Sequence, residues 1–103
     1  MEFRIIKSPS KGALDIIVNR ANLNPEETIP RTDAIGLVQG RMIDMMVAAD
    51  IAYKMANVTV CDIKGICPQN MILIGIFGDT ASVESAISSI RADVEEKTCL
   101  RPS

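Results

Sequence analysis

The stretch Met71-Ile72-Leu73-Ile74-Gly75-Ile76-Phe77 is apolar at almost every position, with no polar residue to mark a solvent face. An unbroken run of this length, rich in β-branched residues and ending at a glycine, reads as a central strand covered on both faces. Working outward, Gly78-Asp79-Thr80 supplies a turn and a helix N-cap oxygen, and Val83, Ala86, Ile87, Ile90 and Val94 then recur at helical spacing with Ser85, Ser88, Arg91 and Glu95 off the stripe. An amphipathic helix of that kind covers one face of a sheet. On the N-terminal side, Asn57 to Lys64 (NVTVCDIK) reads as a second strand with room for a bulge, and the loop KGICPQNM joins the two.

Further back, Asp33-Ala34-Ile35-Gly36-Leu37-Val38-Gln39 is a strand candidate leading into a helix over Arg41 to Ala56. That helix carries Met42, Met45, Met46, Ala49, Ala52, Tyr53 and Ala56 on one side and Ile43, Val47 and Ile51 on another. A helix apolar on two sides packs between layers or at a subunit contact. Asp44 and Asp50, six residues apart, do not stack on one face for metal or acid–base work, and contacts between subunits are the expected role.

The first 32 residues read differently. Phe3 to Lys7 and Ala13 to Val18 flank Ser8-Pro9-Ser10-Lys11-Gly12, and the pattern predicts a β-hairpin arm; Asn19 to Thr32, broken by Pro25 and Pro30, predicts a surface connection. The expected division is an arm and linker over 1–32, a core over 33–95 and a tail over 96–103, where disorder is the default. From residue 33 the order β, α, β, β, α is close to the ferredoxin-like split pattern lacking one edge strand, which the N-terminal hairpin supplies. The fold class is α+β, one structural domain with its sheet covered by helices.

Composition narrows the chemistry. The chain has 103 residues, 48% hydrophobic but 3% aromatic, so its interior is built from aliphatics, Ala and Met. A net charge of -2 and the lack of aromatic platforms argue against nucleic acid. There is no His, which removes the usual general base and ranks a cysteine-dependent enzyme last. Three Cys and no charged-then-apolar leader point to free thiols in a reducing cytosol. The longest apolar run falls far short of the roughly 20 residues that span a bilayer, so no membrane is expected as a partner.

Three blocks carry a resemblance: Asp33-Ala34-Ile35-Gly36, then Ala48-Ala49-Asp50-Ile51-Ala52-Tyr53-Lys54-Met55-Ala56-Asn57-Val58, then Phe77-Gly78-Asp79-Thr80-Ala81-Ser82-Val83-Glu84-Ser85-Ala86. In this order they resemble the bacterial microcompartment (BMC) shell protein family, over residues 33 to 95. Because the strand-bearing segment precedes the shared core, the chain is similar to the circularly permuted branch. The resemblance implies a non-enzymatic structural protein: a cyclic homo-hexamer that tiles with other shell proteins around metabolic enzymes in the cytoplasm. Lys54 falls on the family's edge lysine between adjoining hexamers. Gly65, Ile66, Cys67, Pro68, Gln69 and Asn70 occupy the place of the loop that rims the central pore.

A cyclic hexamer multiplies whatever lies near its axis, so one thiol per chain becomes six. Gly65-Ile66-Cys67-Pro68-Gln69 also resembles the G-x-C-P-Q loop of permuted shell proteins from glycyl-radical compartments, which are associated with an iron–sulfur cluster. That resemblance makes Cys67 the candidate metal ligand, since thiolates are the usual cluster ligands. Read from the residue alone, Cys67 is either such a ligand or an unliganded thiol in a loop that gates small molecules. Cys61, inside a strand, reads as a small core hydrophobe, and Cys99 as part of the tail. The alternative function is a ferredoxin-like regulatory module binding a small ligand between subunits; it would need a phosphate loop or converging basic residues, which the sequence does not display.

Overall fold

A computed structural model describes residues 1–63 and 71–99. The elements follow as β1 (Glu2–Lys7), α1 (Lys11–Arg20), α2 (Pro25–Thr28), a 3₁₀ turn (Ile29–Arg31), β2 (Ala34–Arg41), α3 (Met42–Tyr53), β3 (Val58–Asp62), β4 (Met71–Gly78) and α4 (Thr80–Cys99). The four strands form one antiparallel sheet in the order β1-β2-β4-β3. β4 is central, as its uninterrupted apolar run requires, and β3 and β1 are the edges.

Alternation along the strands sorts the core into two layers. Val38 of β2, Ile74 and Ile76 of β4 and Val60 of β3 face α3 and α4, where Met45, Ala48, Ala52, Val83, Ala86, Ile87 and Ile90 close over them. Their neighbours Ile35 and Phe77 face the opposite way and pack with Leu14, Val18 and Ala21 of α1 and with Ile63. Gly36 fits beneath α4 because a Cβ there would lie 3.0 Å from Ile87 Cδ1 and 3.1 Å from Val83 Cγ1.

The N-terminal hairpin is not formed. Residues 13–18 lie within the helix α1, and β1 pairs with β2 instead, Phe3 opposite Val38 and Ile5 opposite Gly36. The helix prevails over the β-branched run Ile16-Ile17-Val18 for two reasons. Ser10 caps it, its side chain accepting from the Ala13 N–H at 3.3 Å. Leu14, Ile17, Val18 and Ala21 also fall on one helical face and pack in the layer with Phe77, leaving Ile16 exposed. β1 alone supplies the missing edge strand.

The prolines of the following segment start structure rather than interrupt it. Pro25 stands in the first turn of α2, whose N-cap Asn24 accepts the Glu26 N–H at 2.9 Å, and Pro30 sits within the 3₁₀ turn. β3 pairs with β4 in unbroken register from Val58 opposite Gly78 to Asp62 opposite Ile74, so no bulge interrupts it. α4 continues through Cys99, into the stretch read from sequence as a tail.

Candidate functional site

α3 crosses the molecule from one end of the sheet to the other. It begins at Met42, immediately after the residue of β2 that pairs with Met71, and ends at Tyr53, just before the chain turns into β3 beside Gly78. Its inner line is Met45, Ala48 and Ala52, all buried. Its outer line is apolar as well: Met42, Ile43, Met46, Val47 and Tyr53 are exposed, Ile43 at 76%. The two-sided character read from sequence is therefore real, although Met42, Met46 and Tyr53 belong to the solvent side rather than the core. One hundred degrees per residue separates Met45 from Met46.

Lys54 is the C-cap of α3, its N–H directed to the carbonyls of Asp50 and Ile51. Its Nζ lies 2.9 Å from Asp50 Oδ2, one turn back, with both side chains largely in water. Such an exposed pair contributes about 0–1 kcal/mol, so the ammonium is readily given up to another acceptor. Three residues on, Asn57 adopts φ 64° and turns the chain into β3. The turn is pressed against Gly78, where a Cβ would stand 2.7 Å from the Asn57 carbonyl oxygen.

β3 is an edge strand, and its outward groups are partly covered. The Ile63 N–H donates to the Leu73 carbonyl at 2.8 Å, so by alternation the backbone groups of Ile63, Cys61 and Thr59 face β4 while those of Val58, Val60 and Asp62 face outward. Tyr53 Oη donates to the outward Val60 carbonyl at 3.1 Å.

Of the site residues read from sequence, Lys54 lies at the Asn57 end of β3. Gly65, Ile66, Cys67, Pro68, Gln69 and Asn70 lie outside the described residues; their flanks, Ile63 and Met71, lie at the other end of the strand. Cys61 is half-buried in the layer with Phe77, and burial, followed by the neighbouring Asp62 carboxylate, pushes its thiol up. It stays protonated at neutral pH, as a small core residue would. Among the described residues no three His, Cys, Asp or Glu side chains gather to hold a metal ion, and no helix is long and apolar enough to cross a membrane.

Sequence reading missed a polar cleft of about 490 Å³ beside Asn57 and Gly78, built from α2, the 3₁₀ turn and the start of β3. The proline-broken segment gave no sign of it, because its residues meet β3 only through the fold.

Residues 34–101, which hold β2, α3 with Lys54 at its C-cap, β3, β4 and α4, match the family model described as BMC domain. The chain belongs to the BMC-domain family and is a microcompartment shell protein, a structural component rather than an enzyme. Among solved structures it is similar to the ligand-free GrpU microcompartment shell protein from Clostridiales bacterium 1_7_47FAA, at 53% identity over 88% of each chain and a TM-score of 0.67. It is also similar to the ligand-free GrpU shell protein from Pectobacterium wasabiae, at 33% identity over 87% of this chain and 99% of that one, with a TM-score of 0.64. No curated protein matches the chain.

Proposed function

We propose that the protein is a hexameric tile of a cytoplasmic microcompartment shell, a circularly permuted member whose 64–70 loops surround the central opening. The observation that carries this reading is the polarity of β3. Lys54 stands beyond one end of the strand and the 64–70 segment leaves from the other, roughly 17 Å apart for five residues at about 3.3 Å each. A tile needs its seam residue at the rim and its opening at the axis, and one strand separates the two. The exposed apolar line of α3 runs in the same direction, from the loop end to the Lys54 end, which suits a radial contact between neighbouring copies.

At the axis, Cys67 of several copies would hold an iron–sulfur cluster, which when bound supplies one-electron transfer between the two sides of the shell. Supporting this are the Gly65-Ile66-Cys67-Pro68-Gln69 pattern, the thiolate preference of such clusters, and the lack of any competing ligand group among the described residues. Glycyl-radical chemistry is the corresponding compartment type. Anaerobic purification with iron and sulfide analysis and a native mass on the same sample tests both parts. A hexamer containing iron that Cys67→Ser abolishes, and that Cys61→Ser and Cys99→Ser retain, is the expected result. A monomer would end the tile reading, and a hexamer free of iron and sulfide even after reconstitution would leave the loop as a gate.

A further inference from the structure

The cleft beside Asn57 brings two opposite charges into one wall-lined space. Arg31 closes the 3₁₀ turn and Glu27 stands one turn earlier on α2, and both line the cleft. They are close enough in sequence to pair, yet neither side chain makes an ion pair with another described residue. The rest of the lining mixes hydrogen-bonding side chains with Leu23, Val58 and Phe77. Phe77 is among them, with Thr59 opposite it across the β3–β4 ladder.

Some of the polar groups are already committed. The Thr32 hydroxyl donates to the Thr28 carbonyl at 2.7 Å, and Asn24 Oδ1 accepts from Glu26. The hydroxyls of Thr28 and Thr59 and the side-chain amide of Asn57 have no partner among the described residues, so both donors and acceptors stay open toward the cleft. At about 490 Å³ the space lies within the usual range of small-ligand sites, about 300–1,000 Å³, and the two charges in its lining favour a charged ligand over an apolar one.

We propose that this cleft binds a small zwitterion of the α-amino acid type, its carboxylate on Arg31 and its ammonium at Glu27, with the Thr28, Thr59 and Asn57 side chains taking the remaining hydrogen bonds. A simple anion would meet the Glu27 carboxylate and a simple cation the Arg31 guanidinium; a molecule carrying both charges satisfies the two together. The inference rests on the cleft alone and stands whether or not the chain forms hexamers or holds a cluster at Cys67.

Saturation-transfer difference NMR reports on the ligand and so works on the assembled protein. The probes are L-alanine, propionate and propylamine, each titrated against the full chain and its Arg31→Gln and Glu27→Gln variants. Alanine should give a saturable signal at least about tenfold tighter than either singly charged analogue, and each variant should weaken alanine by about tenfold or more, the loss of one charge-assisted hydrogen bond. Both substituted side chains are exposed, so the variants should melt with the parent, which separates lost binding from lost folding. No saturable alanine signal, equal signals from alanine and propionate, or undiminished binding in both well-folded variants would overturn the assignment.

Discussion

Asn57 and Gly78 form a junction that a single methyl group would break. Among the described residues Asn57 is one of three non-glycine positions with positive φ, and its short amide side chain tolerates that region better than most. The carbonyl oxygen it presents to Gly78 cannot retreat easily, since the Gly78 carbonyl accepts the Asp33 N–H at 2.9 Å and holds the end of β4 in place. Gly78→Ala should therefore cost about 1–3 kcal/mol, read as a lower urea midpoint with the slope unchanged. Gly12 is the counterexample: a Cβ there meets nothing within 4 Å, and Gly12→Ala should raise stability by up to about 1 kcal/mol through α1. Next to Gly78, Asp79 starts α4. The Ser82 side chain, then the Ser82 N–H at 3.1 Å from Oδ2, hold the Asp79 carboxyl below its usual range. A depressed folded pKa gives stability that is present above the unfolded value of about 3.9 and lost as pH falls through the folded one. Asp79→Asn keeps an acceptor at the cap but cannot titrate, so its thermal midpoint should fall less than the parent's between about pH 4 and pH 2.5.

At the scale of elements, α3 is the one whose composition exceeds what its own fold needs. Its inner line alone completes the core, so a charge on the outer line should leave the subunit folded while weakening the contact between copies proposed for that line. Ile43→Glu should retain its far-ultraviolet dichroism and unfolding midpoint while light scattering shows a smaller species. A hexamer of unchanged mass would place the contact elsewhere. The elements also show what could be read in advance. β4, β2, β3, α3 and α4 were legible because each has a strong period or an unbroken apolar run bounded by turn residues. α1 was not, because Ile16-Ile17-Val18 satisfies a strand locally, and it takes the Ser10 cap together with the burial of Leu14, Val18 and Ala21 in the layer holding Phe77 to make the helix win. The segment 19–32 was opaque for a related reason: Pro25 and Pro30 mark either an interruption or a first turn, and the Asn24 cap decides which.

For the whole molecule, the arrangement of ends matters more than any one contact. β1, β2, β3 and β4 put Lys7, Ala34, Val58 and Gly78 at one end of the sheet and Glu2, Arg41, Asp62 and Met71 at the other, so strand direction sets which end carries Lys54 and which end the chain leaves after β3. Lys54 belongs to the first end and reaches solvent, paired among the described residues with Asp50. Lys54→Ala should leave the native mass of the oligomer unchanged and impair the growth of sheets in electron micrographs. Normal sheets from that variant would sink the seam assignment. The family was legible in sequence because its blocks are contiguous; the cleft at Arg31 was not, since it joins residues 23–32 to 57–59 and 77–78 through the fold.

The hydroxyl of Tyr53 on the Val60 carbonyl has a wider consequence. A bare strand margin is a template on which further strands can pair and fibres can grow. With that acceptor already engaged, a stray strand must displace the phenol before it can zip on, and approaching copies are steered toward greasy, reversible side-chain docking. Copies joined through side chains can part again, where a continuous backbone zipper would have fused them.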